Sequence, residues 1–259
     1  MLIRLLGSTP RRLLWLLVAF TASAAPSAGI ADEAARQAGM VAAMRPAERS
    51  EQDRARDAQE RPQAIAQFAG LRQGMHIADL HAGDGYVTEV LMGSVIPYGK
   101  IFANNDPSLL SPEQTQAWKK RLESPDTADL AELDNAVTQA LPYYAKGLQA
   151  VFSIGVHHKM VIKGIDRAAV HRVVFDALAP GGLYIVADAR AAKGSDAAKA
   201  AAACRSHADA LRAEVEAAGF RFLEQSDALA NSKDARTSDA CSSKDMPDRF
   251  LMKFERPSL

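Results

Sequence analysis

The sequence predicts an α/β fold in which mostly parallel strands alternate with helices, and three observations carry that expectation. Short apolar runs bounded by Gly or Asp recur from Met75 onward, separated by segments of helical period. One of them, His76-Ile77-Ala78-Asp79-Leu80, passes directly into a glycine-containing turn and then a helix start at Tyr86-Val87-Thr88. The cluster Ala179-Pro180-Gly181-Gly182 stops a helical segment just before another apolar run.

Taken in order, the chain opens with Arg4, Arg11 and Arg12 ahead of the apolar run Leu13 to Phe20 and then Ala22-Ser23-Ala24. That reads as an export signal over residues 1–24, with an uncleaved anchor as the alternative; the run is shorter than the about 20 apolar residues of a spanning helix. The Arg11-Arg12 pair matches part of a twin-arginine signal. Residues 25–49 are rich in Ala, Arg, Asp and Glu, too poor in large apolar groups to form a core, and read as a flexible tail. One domain is expected over 50–259. Its first helices are Ser50 to Glu60 and, after Arg61-Pro62, Gln63 to Phe68, closed by Gly70.

The first strand is Met75 to Leu80, its following helix Tyr86 to Met92, and the second strand Lys100 to Asn104 after the turn Pro97-Tyr98-Gly99. Two strands around one helix make a right-handed unit. Ser111-Pro112-Glu113 starts a further helix, and Asp126 to Ala140 reads as a weak second one. A strand Ala150 to Ile154, a helix Arg167 to Leu178 and a strand Leu183 to Ala187 come next. A long Ala-rich helix is expected from Asp196 to Ala218, its interleaved Lys199, Arg205 and Asp209 marking a solvated amphipathic surface, with Gly219 as its stop. Strands Arg221 to Gln225 and Arg249 to Phe254 close the sheet, separated by the polar loop Asn231 to Pro247.

Composition excludes one class of partner. The 259 residues carry 31 Lys and Arg against 31 Asp and Glu, so no summed field gathers polyanions and nucleic acid is not expected. Cys204 and Cys241 are the two cysteines; a disulfide and two separate thiols both remain open, and an unspaced pair does not read as a metal site.

The segment Asp79-Leu80-His81-Ala82-Gly83-Asp84-Gly85 carries the chemistry. A backbone turning sharply at the carboxyl end of a strand needs glycines for positive φ, and the helix that follows presents amides that favour a carboxylate. The segment resembles the Asp/Glu-x-Gly-x-Gly-x-Gly loop of class I S-adenosylmethionine-dependent methyltransferases, with His81 at the first glycine position. Ala177-Leu178-Ala179-Pro180-Gly181-Gly182-Leu183 is similar to the turn before the fifth strand of that family, and Asp248 to Phe254 to its last strand. The resemblance implies a Rossmann-like sandwich on a mostly parallel seven-stranded sheet with an antiparallel last strand. It implies S-adenosylmethionine as cofactor, held by Asp79, His81, Gly83 and Gly85, with the ribose at Asn105 or Asp106, where the family usually places a carboxylate. A neutral amide there lacks charge assistance.

More narrowly, the leader, the segment Arg54 to Pro62, the block Ala82 to Thr88 and Asp248-Arg249-Phe250 are similar to a group of bacterial exported predicted methyltransferases, a likeness covering about Arg54 to Pro257. The leader implies a periplasmic protein with no membrane span after cleavage; a small-molecule acceptor is expected, with a lipid, a quinone-like compound or a protein left open.

His157 and His158 follow the fourth strand at the rim, where an imidazole orients an acceptor or takes its proton; two solvated loop histidines are the plainer reading. Asp188, ending the fifth strand, is either a site-lining or an ordinary strand-end carboxylate, and Tyr143-Tyr144 reads as packing. Ser153 and Ser206 sit in no Gly-x-Ser-x-Gly elbow, which argues against a hydrolase, and the three-glycine spacing of a dinucleotide site is absent. His81, Asn105 and export together keep a second reading alive: a ligand-binding or structural protein that retains the fold without catalysis.

Overall fold

The computed structural model describes residues 49–124 and 145–258 and, between them, 127, 130–133, 139 and 141. The leader, nearly all of the tail, and Tyr143-Tyr144 lie outside the described residues.

Seven strands form one sheet in the order β3-β2-β1-β4-β5-β7-β6. They are β1 (His76–Leu80), β2 (Lys100–Asn104), β3 (Leu130–Leu133), β4 (Leu148–Ile154), β5 (Leu178–Ala189), β6 (Arg221–Ser226) and β7 (Arg249–Glu255). The first five run parallel, and β7 lies antiparallel between β5 and β6. The expected sheet is present, including its antiparallel last strand.

Residues of β1 alternate between two hydrophobic layers, as a period of two requires. Ile77 joins Ile101, Phe152, Ile185 and Leu251 beneath α2 (Pro62–Ala69) and α3 (Tyr86–Val95), which contribute Ile65, Leu91 and Val95. Ala78 and Leu80 face the opposite layer, with Val151, Tyr184 and Phe254 against Val170 and Val174 of α6 (Arg167–Ala177) and Leu211 and Val215 of α8 (Ala208–Ala217). Full burial of each large side chain is worth about 1.5–3 kcal/mol over exposure. Helices on both faces therefore lock the sheet and leave the strand ends as the open crevice.

Local chemistry explains where the helices start: the Ser50 hydroxyl accepts from the Asp53 amide at 3.0 Å to cap α1 (Glu51–Glu60). Ser111 and Gln114 form a reciprocal capping box for α4 (Pro112–Leu122), with Pro at the first position and Lys119, Lys120 and Arg121 in the last turn facing the negative end of the dipole. Asp166 caps α6 through the Ala169 amide.

Four expectations are corrected. Within the weak helix expected at Asp126 to Ala140, residues Leu130–Leu133 form a strand that extends the sheet beyond β2, in register from Ile101↔Leu130 to Asn104↔Leu133. Pairing to an otherwise open strand edge overrides a marginal helix propensity. The Ala-rich helix is broken into α7 (Ala197–Ala202) and α8, because Cys204 adopts φ 57° and Arg205 turns inward to Asp234 at 2.8 Å. The strand expected at Leu183 begins earlier, at Leu178, with Gly181 at φ 78° and Gly182 passing so close to Leu148 that a Cβ would stand 2.8 Å from its carbonyl oxygen. The two histidines after β4 are no loop; they open the helix α5 (His157–Ile162). Among the described residues no helix is long and apolar enough to cross a membrane.

Candidate functional site

A cavity of about 250 Å³ opens at the carboxyl ends of β1, β4 and β5, lined among others by His81, Gly83, Gly155, His158, Lys159 and Asp188. A larger space of about 420 Å³ lies within the polar loop 231–247, walled by that loop's own residues and by none of the strand or glycine-loop residues. Position rather than size selects the first.

The glycine loop forms as the spacing predicts, with His81, Gly83 and Gly85 all in the left-handed region at φ 62°, 64° and 77°. For His81 this costs of order 1–3 kcal/mol, because it carries a Cβ. What holds it is burial and a contact: Lys159 Nζ, on α5, donates to His81 Nε2 at 3.2 Å and also to the Leu109 carbonyl and Gln114 Oε1. Burial, with Lys159 beside it, pushes the His81 pKa down to about 3, so the ring is neutral and its proton sits on Nδ1, which has no hydrogen-bond partner. Burial likewise lowers the Lys159 pKa. Asp79, behind the loop, is pushed up to about 6 by complete burial against the opposing Thr88 hydrogen bond of 2.6 Å.

The loop amides expected to meet a carboxylate are spoken for. Gly83 N–H donates to Asn105 Oδ1 at 2.9 Å while Asn105 Nδ2 donates back to the Gly83 carbonyl at 3.2 Å. Gly85 N–H donates to the Ala82 carbonyl at 2.9 Å. Over Gly85 lies the indole of Trp118, so close that a Cβ would stand 2.7 Å from the ring. Asp106 accepts from the amide and hydroxyl of Ser108 and caps the short turn Pro107–Leu109. Asn105 and Asp106, expected at the ribose, therefore serve the loop and the turn; with Asp79, Gly85 and His157 they stand outside the cavity wall.

On the other side the arrangement reverses. Consecutive residues of a helix point about 100° apart, and the two histidines of α5 accordingly go to different places. His157 places Nδ1 2.9 Å from Ser206 Oγ and Nε2 3.3 Å from Glu214, in a separate space of about 90 Å³. Glu214 also accepts from Nε and Nη2 of Arg167 at 2.8 Å each and, although burial raises its pKa, these partners hold it down at about 2. Ser206 donates its proton to Asp188 at 2.8 Å, so it is no nucleophile activated by His157.

His158, 5% exposed, faces the cavity. Asp188 accepts from its backbone amide at 3.0 Å and from Nδ1 at 2.9 Å, which fixes the ring and leaves Nε2 without a partner. Burial pushes Asp188 up, but His158 and the hydrogen bonds from it and Ser206 prevail and keep its pKa below the usual carboxylate value. Beside the ring lies a disulfide, Cys204–Cys241, which ties the loop 231–247 to the break between α7 and α8.

Of the expected site residues the structure thus gathers His81, Gly83 and His158 at one cavity, with Asp188, which takes the site-lining one of its two expected roles, as the group that orients His158. Arg56 and Arg249 also line it. Arg56 bonds Asp84 at 2.5 Å and stacks over the Tyr86 ring at 3.9 Å. Both arginines lie in segments the family resemblance singled out, and that was the signal for them. Lys159, Gln114 and Trp118 had none.

No protein-family model matches the chain, and no curated protein does either. Solved structures do. A S-adenosylmethionine-dependent methyltransferase from Aquifex aeolicus superposes with a TM-score of 0.58 at 13% identity, over 78% of this chain and 92% of its own. The [4+2]-cyclase SpnF gives 0.58 at 15% identity, over 78% and 82%. A protein of Bordetella parapertussis described as a possible exported protein gives 0.51 at 14% identity, over 79% and 68%. At these identities the likeness establishes the class I methyltransferase fold, and the presence of a cyclase among the neighbours shows that the fold alone does not name a reaction.

Proposed function

We propose that this chain is a S-adenosylmethionine-dependent methyltransferase that acts on a small-molecule acceptor after export to the periplasm. The observation that carries the reading is the cavity at the ends of β1, β4 and β5, where open α/β sheets receive their ligands, with a glycine loop on one wall and an oriented imidazole on the other. Export is supported by the basic and apolar leader and by a disulfide, a bond that persists in oxidising compartments.

The residues fit the methionine end of the cofactor. Arg56 and Lys159 offer positive charge to a carboxylate, and Gly155, at φ 66°, leaves open space where a Cβ would meet nothing within 4 Å. Bound there, the cofactor supplies a methyl group on a sulfonium, and placement of the acceptor contributes most of the rate. His158, held by Asp188, presents Nε2 as the group that takes an acceptor's proton. The nucleoside end requires the Asn105–Gly83 pair and the start of α4 to give way.

That requirement favours a second reading, a ligand-binding protein that has kept the fold and closed its nucleoside pocket. Calorimetric titration with S-adenosylmethionine, S-adenosylhomocysteine and NAD separates the two. Binding of the first two at micromolar to millimolar concentration sustains the enzyme; NAD alone indicates an oxidoreductase. Heat from none of them, in the wild type and in Trp118→Ala, leaves the non-catalytic reading standing.

A further inference from the structure

We propose that reduction of the Cys204–Cys241 disulfide turns one wall of the cavity into a binding site for a single zinc-like divalent cation, held by Cys204 Sγ, Cys241 Sγ and His158 Nε2. The proposal does not rest on the methyl-transfer reading, since it is tested without any methyl donor.

Two independent features point to it. The first is proximity: the two sulfurs and a nitrogen of His158 lie within 4.8 Å of one another, although the residues are far apart in the sequence. A tetrahedral zinc ion, with bonds of about 2.3 Å to sulfur and 2.0–2.1 Å to nitrogen, needs such donors roughly 3.5–3.8 Å apart. The second is the state of the imidazole. Asp188 fixes the proton on Nδ1, and Nε2 is left buried with no hydrogen-bond partner. A buried polar nitrogen without a partner is costly. A carboxylate behind a ligating histidine is the usual way a protein sets that ring's tautomer and orientation for a metal. Asp188 is itself held by Ser206 and the amides of His158 and Ala189, so the ring cannot swing away.

The chemistry balances simply. A dithiol reductant gives two electrons to the disulfide and becomes a disulfide itself; Cys204 and Cys241 become thiols. The cation then displaces both thiol protons to solvent, and His158 binds through the lone pair of Nε2. Cys241 is exposed, so a reductant reaches it. Three protein donors leave the fourth position to water or to a ligand in the cavity. The oxidised chain has no thiolates and holds no metal there.

The test uses the full chain, oxidised or reduced with a dithiol that is then removed without air, and titrates Co²⁺ as a spectroscopic probe before displacing it with Zn²⁺. The expected result is a single equivalent, with thiolate-to-cobalt charge-transfer absorption in the reduced chain only. His158→Ala should weaken binding at least about tenfold, and Asp188→Asn about 10–100-fold, the range for the partners behind a ligand. The proposal is overturned if the reduced chain keeps its circular dichroism yet takes up no Co²⁺. It is equally overturned if it loses that signal and Zn²⁺ does not restore it, or if folded, reduced His158→Ala binds as tightly as the wild type.

Discussion

The two sides of the cavity hold the same kind of residue in opposite circumstances. On the β1–β2 side His81 is wedged in a left-handed turn, its Nε2 bonded to Lys159, its neighbour Gly83 clamped by Asn105 and Gly85 roofed by Trp118. On the β4–β5 side His158 is held from behind by Asp188 and keeps Nε2 for something else. The first arrangement spends its loop amides and His81 Nε2 on packing and leaves the His81 Nδ1–H unpartnered, whereas the second reserves a lone pair, on His158 Nε2. Sites are recognised by what they leave unsatisfied, because satisfied groups have no further interaction to offer a ligand.

The largest effect is expected where the reserved side is anchored. Asp188→Ala leaves a buried imidazole N–H, the Ser206 hydroxyl and two amides without their acceptor. Breaking such a buried polar cluster from one side costs about 3–5 kcal/mol. Urea denaturation should show a loss of unfolding free energy of that size, and a loss under about 1 kcal/mol would mean that Asp188 does not hold the ring. The packed side answers next. Gly85→Ala adds a Cβ at φ 77° and drives it into Trp118, which together cost about 2–4 kcal/mol. In a double-mutant cycle with Trp118→Ala the clash component should shrink to the part owed to Arg121 Cδ, also 2.7 Å from that Cβ, and the backbone component remain.

The sequence made the packed side legible in outline and hid its contents. Asp79, the two glycines and the strand before them predict the loop, because sharp turns demand glycine and consecutive strand and helix signals are local. Lys100 to Asn104 was placed residue for residue for the same reason. Local signals do not show that Asn105 turns back onto Gly83, or that Trp118, on a helix that begins well beyond β2, covers Gly85. The reserved side was less legible still. Cys204, Cys241, Asp188 and His158 come from four separate segments, and only the sheet order brings them together. The identity of His158 over His157 turns on the 100° rotation between neighbours in a helix whose start the sequence did not reveal.

Acid sharpens the comparison from the packed side. The His81 pKa is lowered from 6.5 to about 3 in the folded chain, so the unfolded chain binds a proton over that interval that the folded chain refuses. Stability is then unaffected above pH 6.5 and falls as pH drops below it, by about 1.4 kcal/mol per pH unit from this one group, until pH 3. His81→Asn accepts the same backbone conformation and carries no titrating group. Unfolding midpoints from pH 7 to 4 should therefore fall less steeply in the variant, and parallel profiles would place His81 in contact with solvent.

The smallest effect probes the clamp itself. Asn105→Ala removes both hydrogen bonds to Gly83, and leaving that amide and carbonyl unmatched costs about 1–2 kcal/mol if water does not replace the side chain. The same change frees the Gly83 N–H to face the crevice. If the packed side is a closed nucleoside pocket, the variant should bind S-adenosylhomocysteine more tightly than the wild type while unfolding at lower urea. Stability and affinity moving in opposite directions is the signature of a loop whose own satisfaction competes with its ligand. A loss of both would mean that Asn105 supports the pocket it was found closing.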